Sequence, residues 1–121
     1  MMSYIEFETW IVKDGHEEAH QQMLRDWFRF IRTHHPELFA EWKSARYYRE
    51  ISKEGEPTGK YIMLFEFHSK EAHHAYKARR QEYAGPYAAY KEVDPYHHHF
   101  VQDSVTTDYW EPQEEDLWLE S

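Results

Sequence analysis

The chain opens on alternating polar and apolar positions, the pattern of a strand whose two faces meet different surroundings. Over residues 3–12, one face carries Tyr4, Glu6, Glu8, Trp10 and Val12, and the other carries Ile5, Phe7, Thr9 and Ile11. The alternation stops at residues 13–15 (KDG). Asp14 can cap a following helix, and Gly15 permits the turn into it.

After Gly15 the apolar residues recur every three or four positions, which predicts a long amphipathic helix. Its stripe consists of Ala19, Met23, Trp27, Phe30, Ile31 and His34. Pro36 lacks an N–H group, so it marks the end of the regular helix or restarts a short turn.

The second half of the chain predicts two strands, a helix and a last strand. The strands cover roughly residues 41–51 and 60–68, separated by a loop at 52–59 that is rich in Gly, Pro and charge. The apolar run at 61–65 suits a central strand that is buried on both faces.

The second predicted helix starts at Ser69, a good N-cap residue, and extends to about Ala84. It breaks at Gly85-Pro86 and resumes from Tyr87 to Val93. The last predicted strand covers residues 100–109.

This order of elements, βαββαβ, predicts an α+β fold of the ferredoxin-like type with an antiparallel sheet. Helices cover only one face of such a sheet, so a second copy of the chain is expected to cover the other. The 121 residues form one domain, with a core at about 3–110 and an acidic tail at 111–121. The tail contains Leu117, Trp118 and Leu119, which favours docking on a partner subunit over disorder.

Composition excludes several classes of function. The net charge of −9 disfavours nucleic-acid binding, because such a field repels phosphate. The chain has no cysteine, which excludes disulfides and thiol catalysis. It has no apolar run of 18 residues and its four glycines are scattered, so we expect a cytoplasmic protein without membrane contact, nucleotide or flavin.

Two carboxylates on the first strand are the best candidates for chemistry. Glu6 and Glu8 share a face with Trp10, and a carboxylate beneath aromatic rings loses hydration, which raises its pKa towards neutrality. Such a group is a usable general base. Glu66 on the third strand could lie alongside. The alternative is that Glu6 or Glu8 forms a structural ion pair with Arg46 or Arg49.

The second helix carries His73, His74 and a face rich in tyrosine, formed by Tyr76, Tyr83, Tyr87 and Tyr90. Two interpretations stay open. The tyrosines either pack in the core with hydroxyls at its rim, or form the wall of a pocket for an aromatic or acyl ligand.

Two histidine patterns suggest metal binding, but both favour a plainer interpretation. His16 and His20 fit the zincin pattern His-Glu-x-x-His, yet they lie in the first turn of a surface helix and lack a third ligand. His97 and His99 would project from the same side of a strand, without a carboxylate beside them. We therefore expect a solvated helix start and a polar junction, with no metal.

Three segments resemble the dimeric α/β-barrel superfamily, which includes the antibiotic-biosynthesis monooxygenases, the EthD-like proteins and the stress-responsive barrel proteins. They are residues 12–18 (VKDGHEE), 65–72 (FEFHSKEA) and 84–90 (AGPYAAY). The resemblance covers roughly residues 3–110. It implies a homodimer whose sheets pack face to face as a barrel, with a small-molecule cavity between each sheet and its helices.

The positions that bind haem in haem-degrading members of this superfamily carry other residues here. Glu8 replaces the expected Asn, Phe67 and His68 lie near the expected Trp, and Lys77 lies near the expected His. The resemblance therefore argues against haem and predicts no cofactor.

The sequence leaves two main functions open. One is a cofactor-independent monooxygenase or isomerase that acts on a small hydrophobic or aromatic substrate. Glu8 would take a proton, His68 or His73 would assist, and Trp10, Trp27 and Tyr76 would hold the substrate. The other is a binding protein for an acyl or aromatic metabolite without turnover, and a purely structural dimer is a third possibility. An ionisable group in the cavity would favour the enzyme.

Overall fold

The computed structural model describes residues 3–83, 85–95 and 98–121, without the side chain of Glu82. Its strands are β1 (Tyr4–Ile11), β2 (Trp42–Ile51), β3 (Pro57–Phe67) and β4 (Thr106–Trp110), and its helices are α1 (Glu17–Leu38), α2 (Lys70–Arg79) and α3 (Tyr87–Val93). The predicted α+β order βαββαβ, with a second helix in two pieces, is confirmed.

The four strands form one sheet in the order β2-β3-β1-β4, and every neighbouring pair is antiparallel. β3 is central, as predicted. Glu8 pairs with Met63 of β3 and Glu6 pairs with Tyr109 of β4. Because directly paired residues point to the same face, these side chains all lie on the side of the sheet that the helices cover.

The core lies between this face and the helices, and aromatic rings dominate it. Trp27 of α1 packs against Trp42 of β2, and its Nε1–H donates to the Tyr90 hydroxyl of α3 at 3.2 Å. Phe39 has no exposed surface and contacts both Trp42 and Tyr76. Large aromatic side chains thus provide most of the buried area in a chain of modest length.

The first helix differs from its prediction at both ends. Its N-cap residue is His16 and no side chain caps it, so the cap predicted at Asp14 is wrong; Gly15 does adopt the positive φ of +80° that the turn needs. Pro36 lies inside the last turn and the helix continues to Leu38. A proline this close to a helix end removes only one backbone hydrogen bond, the one that its N–H would donate to the Arg32 carbonyl.

The buried stripe of α1 is also rotated from the predicted one. It consists of His20, Leu24, Trp27, Ile31 and Leu38, whereas Ala19 is exposed. The aromatic side chains of the sheet accept the His20 ring between them, which a hydrophobicity pattern does not anticipate.

The observed boundaries of the second helix and the last strand differ from the predicted ones by several residues. Ser69 caps α2 by accepting the Ala72 N–H at 3.0 Å, as predicted. The helix ends at Arg79, short of the predicted Ala84, which lies outside the described residues. β4 begins only at Thr106, because Phe100 makes an isolated bridge to Val12 before the chain turns.

The face of the sheet away from the helices is apolar and uncovered in the single chain. Ile5, Phe7 and Leu64 are half-buried there, and Ile11 and Trp110 are exposed. Within the described residues, no helix is both long and apolar enough to span a membrane.

Candidate functional site

A cavity of about 410 Å³ lies between the sheet and the segments α2 and α3. This is the place that the superfamily resemblance implies. The lining contains the aromatic and apolar side chains of Trp10, Trp27, Trp42, Met63, Phe65, Phe67, Tyr76, Tyr83, Tyr90, Phe100 and Tyr109. Its charged residues are Glu6, Glu8, Lys77, Arg80 and Asp94. Mostly aromatic walls with a few charged groups are typical of small-molecule sites.

Glu6 is the paired carboxylate of the cavity. Its side chain is 1% exposed and one oxygen, Oε1, has two partners on α2: His73 Nε2 at 3.0 Å and Lys77 Nζ at 3.6 Å. His73 and Lys77 are four residues apart, so both reach the sheet from the same side of the helix. The alternative pairing of this carboxylate with Arg46 or Arg49 is therefore wrong.

Glu8 lies two residues further along the same face and is half-buried at the cavity wall. Burial raises the pKa of Glu8 from 4.5 to about 7, the negative charge of Glu6 and a hydrogen bond with it act in the same direction, and Lys77 opposes them. The raised pKa expected from the sequence is thus present. At neutral pH this carboxyl group is divided between its two forms, as a group that both accepts and donates protons must be.

His73 is a neutral group that orients Glu6. Burial lowers the pKa of His73, and this exceeds the opposing effect of Glu6. The neutral ring donates from Nε2 to Glu6, which leaves Nδ1 as a buried acceptor without a partner among the described residues. Tyr4 and Phe67 pack on the ring, with centroid distances of 5.1 and 4.7 Å.

The cavity wall also holds a cation, Arg80, among tyrosines. The Arg80 guanidinium lies 5.6 Å from the ring centre of Tyr76 and 5.7 Å from that of Tyr83, within the range of cation–π contacts. The Tyr83 hydroxyl donates to Asp94 at 2.6 Å. Burial raises the pKa of Tyr83 to about 12, so this hydroxyl stays protonated.

The cavity brings together most of the residues predicted from the sequence. Glu6, Glu8, Trp10, Trp27, Tyr76 and Tyr83 line it, and His73 adjoins it through Glu6. Whether they bind or transform a ligand stays a prediction.

Three predicted residues lie elsewhere. Glu66 pairs with Ile5, so it points to the uncovered face of the sheet, where it accepts from Ser44 at 3.2 Å. His68 follows β3, is exposed and does not line the cavity. Tyr87 is buried behind the cavity and donates to the Leu38 carbonyl at 2.5 Å. Glu66 therefore does not lie alongside Glu8 as expected, and neither His68 nor Tyr87 lines this cavity.

The sequence interpretation missed several polar residues of the cavity, among them Lys77, Arg80 and Tyr109. Lys77 and Arg80 follow His73 by four and seven positions, a spacing that places all three on one helix face. Tyr109 lies opposite Glu6 in the β1–β4 register. The helical spacing was a usable signal for the two cations, whereas the Tyr109 position depends on where β4 begins.

The histidine patterns do not form a metal centre among the described residues, where no group of three or more potential ligands occurs. His20 is buried and its Nε2 bonds the Tyr47 hydroxyl at 2.5 Å, so a solvated helix start is wrong for this residue. His16 Nδ1 lies 3.1 Å from His99 Nδ1. His97 lies outside the described residues.

Comparisons with known proteins identify relatives by structure only. No family model matches the sequence, and no curated protein matches it. A NipSnap family protein of unknown function from Agrobacterium tumefaciens is similar with a TM-score of 0.61 at 17% identity, over 93% of this chain and 90% of that one. A Bordetella bronchiseptica protein, provisionally described as an antibiotic biosynthesis monooxygenase, gives 0.60 at 10% identity, over 94% and 98%.

A third similar structure is a monooxygenase from Streptomyces coelicolor in complex with the ligand nanaomycin D. Its TM-score is 0.59 at 12% identity, over 99% of this chain and 94% of that one. These three similarities support the α+β, ferredoxin-like fold predicted from the sequence. At such low identities the likeness shows the fold alone.

Proposed function

We propose that this protein is a cofactor-independent enzyme that removes a proton from a small aromatic or carbonyl substrate, with Glu8 as the base. The observation that carries the proposal is the position of Glu8: a carboxyl group with a pKa of about 7 on the wall of an aromatic cavity. A base is most effective when its pKa lies near the working pH. An ionisable group at this place favours an enzyme over a purely binding protein.

The proposed first step is a proton transfer. The proton of an acidic C–H or phenolic O–H bond moves to a Glu8 oxygen, and the electron pair stays on the substrate as an enolate or phenolate. Lys77 supplies a positive charge at the same end of the cavity, which stabilises this developing anion. His73 acts through Glu6 as a positioning residue.

Two outcomes of this step are compatible with the site. In an isomerisation, Glu8 returns the proton to a different carbon and no oxidant is needed. In a monooxygenation, O₂ oxidises the electron-rich anion: one oxygen atom becomes a new carbonyl at a CH₂ carbon or a phenol ring carbon, and the other leaves as water with the two hydrogens that the substrate loses. The similar fold of the Streptomyces coelicolor monooxygenase supports the second outcome.

The cavity supports a substrate of modest size. A volume of about 410 Å³ falls at the lower end of the range typical of small-molecule pockets. Trp10, Trp27 and Tyr76 offer ring faces against which a planar substrate can stack.

The test is hydrogen exchange in D₂O, which detects the base without knowledge of the final product. A panel of hydroxynaphthalenes and β-dicarbonyl compounds is incubated with the protein, and loss of the acidic C–H signals is followed by ¹H NMR. We expect catalysed exchange on at least one compound, and Glu8→Gln should slow it by roughly a hundredfold or more. Affinity should change little, because the shape of the side chain is kept.

Glu50→Gln is the matched control, since Glu50 is an exposed carboxylate of β2 that does not line the cavity. It should leave the exchange rate unchanged. Tight binding of a compound without any exchange would favour the competing function, a binding protein for an aromatic metabolite. Exchange that survives Glu8→Gln would exclude Glu8 as the base.

We also propose that the protein is a homodimer in which the uncovered sheet faces pack together. The apolar face formed by Ile5, Phe7 and Leu64 supports this, because contiguous exposed apolar surface is uncommon on monomers. Light scattering at micromolar protein should give twice the mass of the chain. A stable monomer would contradict the dimer without affecting the role of Glu8.

A further inference from the structure

A second cavity, of about 660 Å³, lies on the other side of the core between α1 and the sheet, and arginines dominate its charge. Arg25, Arg29 and Arg32 line it from α1, where spacings of four and three place them on one helix face. Arg49 lines it from β2. The aromatic rings of Phe28 and Tyr61 complete the wall, so the cavity is both basic and apolar. We call it the arginine pocket.

Most of these cations are unpaired. Arg29 contacts Asp26 at 3.1 Å, whereas Arg25, Arg32 and Arg49 have no acidic partner within 4.0 Å among the described residues. The whole chain carries a net charge of −9. A local concentration of four positive charges in such a protein is a site for an anionic partner.

The C-terminal tail, residues 111–121, has the complementary character. It contains five carboxylates: Glu111, Glu114, Glu115, Asp116 and Glu120. Between them lie three apolar residues in solvent, Leu117 (71% exposed), Trp118 (50%) and Leu119 (97%). Three consecutive exposed apolar residues are a common mark of an interaction surface.

We propose that the tail of a second copy of the chain occupies the arginine pocket. Its carboxylates would face Arg25, Arg32 and Arg49, and Trp118 would pack against Phe28. Acidic and apolar groups on one side thus match basic and aromatic groups on the other. The proposal rests on the homodimer, in which two-fold symmetry lets each copy give one tail and receive one.

The chain's own tail is a poorer occupant. It leaves the sheet from β4, which lies at the opposite edge from β2. None of its residues lines the arginine pocket in the single chain. In the face-to-face homodimer, the tail of the second copy would reach the pocket around the β2 edge of the first copy, the edge from which Arg49 lines it.

Disulfide trapping in the full-length chain tests this proposal, and the absence of natural cysteines makes the result specific. One variant carries Gln21→Cys, an exposed position that lines the pocket, and the other carries Leu119→Cys in the tail. When the two are mixed under mild oxidation, we expect a cross-linked species of twice the chain mass to dominate. A Glu71→Cys variant, with its thiol on exposed α2, should form at least tenfold less of it.

Charge reversal tests whether cross-linking depends on the proposed ion pairs between tail and pocket or only on the two cysteines being near each other. Arg25→Glu/Arg32→Glu in the pocket copy should reduce cross-linking about tenfold, and Glu114→Lys/Glu115→Lys in the tail copy should restore much of it. A single chain carrying both Gln21→Cys and Leu119→Cys should still form linked dimers. A disulfide within one chain, or cross-linking no higher than with Glu71→Cys, would overturn the proposal.

Light scattering on the same samples distinguishes failure of the tail contact from failure of the homodimer. A dimer that does not trap the tail contradicts only the tail contact. A monomer contradicts both the tail contact and the homodimer. Cross-linking that is absent at low salt, while added inorganic phosphate shifts the NMR signals of the arginine pocket, would identify a site for free anions instead.

Discussion

The two cavities of this protein share one sheet but differ in how they balance charge. In the first, Glu6 is buried against His73 and Lys77, and Glu8 beside it has a raised pKa. In the arginine pocket, three cations are exposed to solvent and have no acidic partner among the described residues: Arg25, Arg32 and Arg49. Burial therefore decides the difference: a buried charge must be paired or must change its pKa, whereas an accessible one needs neither.

A short chain of hydrogen bonds separates the two cavities. Trp10, which lines the first, donates from Nε1 to the Tyr47 hydroxyl at 2.8 Å, and Tyr47 bonds His20 Nε2 at 2.5 Å. Tyr47 and His20 both line the arginine pocket. Each of the main variants below removes one polar group of these two cavities: Glu6, His20 or the Tyr47 hydroxyl.

The largest expected effect comes from breaking the buried pair of the first cavity. Glu6→Ala leaves the buried Nε2–H of the neutral His73 without its acceptor, and Lys77, whose side chain is 35% exposed, without its carboxylate. A buried donor left without a partner costs about 1–3 kcal/mol, and we expect a loss at the upper end of this range because the lost acceptor is a carboxylate. Urea denaturation should show this loss. Asp26→Ala is the control, because Asp26 contacts Arg29 at 3.1 Å on the exposed surface of α1 and such pairs contribute about 1 kcal/mol or less. Equal losses in the two variants would contradict the contrast between buried and open carboxylates.

The next effect is a dependence of stability on pH that comes from His20. Burial lowers the pKa of His20 from 6.5 to about 4, and the charge of His99 acts in the same direction. The folded state therefore binds fewer protons than the unfolded state between these values, so its stability is complete above pH 6.5 and falls as the pH drops to 4.

Urea midpoints at pH 7 and pH 4 measure this dependence. The stability of the wild-type protein should fall by about 2–3 kcal/mol more than that of His20→Phe over this range. His74→Gln, which changes an exposed histidine, should keep the wild-type slope. An unchanged slope in His20→Phe would mean that His20 titrates normally.

A smaller effect is expected from the hydroxyl between the cavities. Tyr47→Phe keeps the ring stacked on Tyr61 but leaves Trp10 Nε1 and His20 Nε2 without their partner. An unsatisfied buried polar group costs about 1–3 kcal/mol, so we expect a loss of about 2 kcal/mol in thermal or urea denaturation. Tyr48→Phe, an exposed neighbour, should cost less than about 0.5 kcal/mol. Equal costs would show that the hydroxyl contact contributes nothing.

Local patterns predicted the elements of this fold well, and their ends less well. The alternation of β1 placed Glu6 and Glu8 on the helix-covered face, and the Ser69 cap is where the sequence indicates it. Asp14 was predicted to cap α1 and does not. Phe100 was predicted to begin the last strand, which starts only at Thr106. Such boundaries depend on contacts between distant segments, for example the bridge from Phe100 to Val12, which a local pattern does not contain.

Residues of the cavity could be predicted where their position depends on the face of a single strand or helix. They could not be predicted where their position depends on how two strands are paired. Glu8, Trp10 and Tyr76 needed only the face of a strand or helix. Glu66 was misplaced because a shift of one residue in pairing moves a side chain to the other face of the sheet. Its pairing with Ile5 settles the face, and a single sequence does not supply that register.

The most direct test of the account is the titration of Glu8 itself, which needs no substrate. Carboxyl ¹³C signals are followed by NMR from pH 3 to pH 9 and assigned with Glu8→Gln. Because burial and the neighbouring Glu6 both raise the pKa of Glu8, we predict a midpoint near 7 for the Glu8 signal. A midpoint for Glu8 near 4.5, the ordinary value for a glutamate, would contradict the central claim that this cavity holds a base for neutral pH.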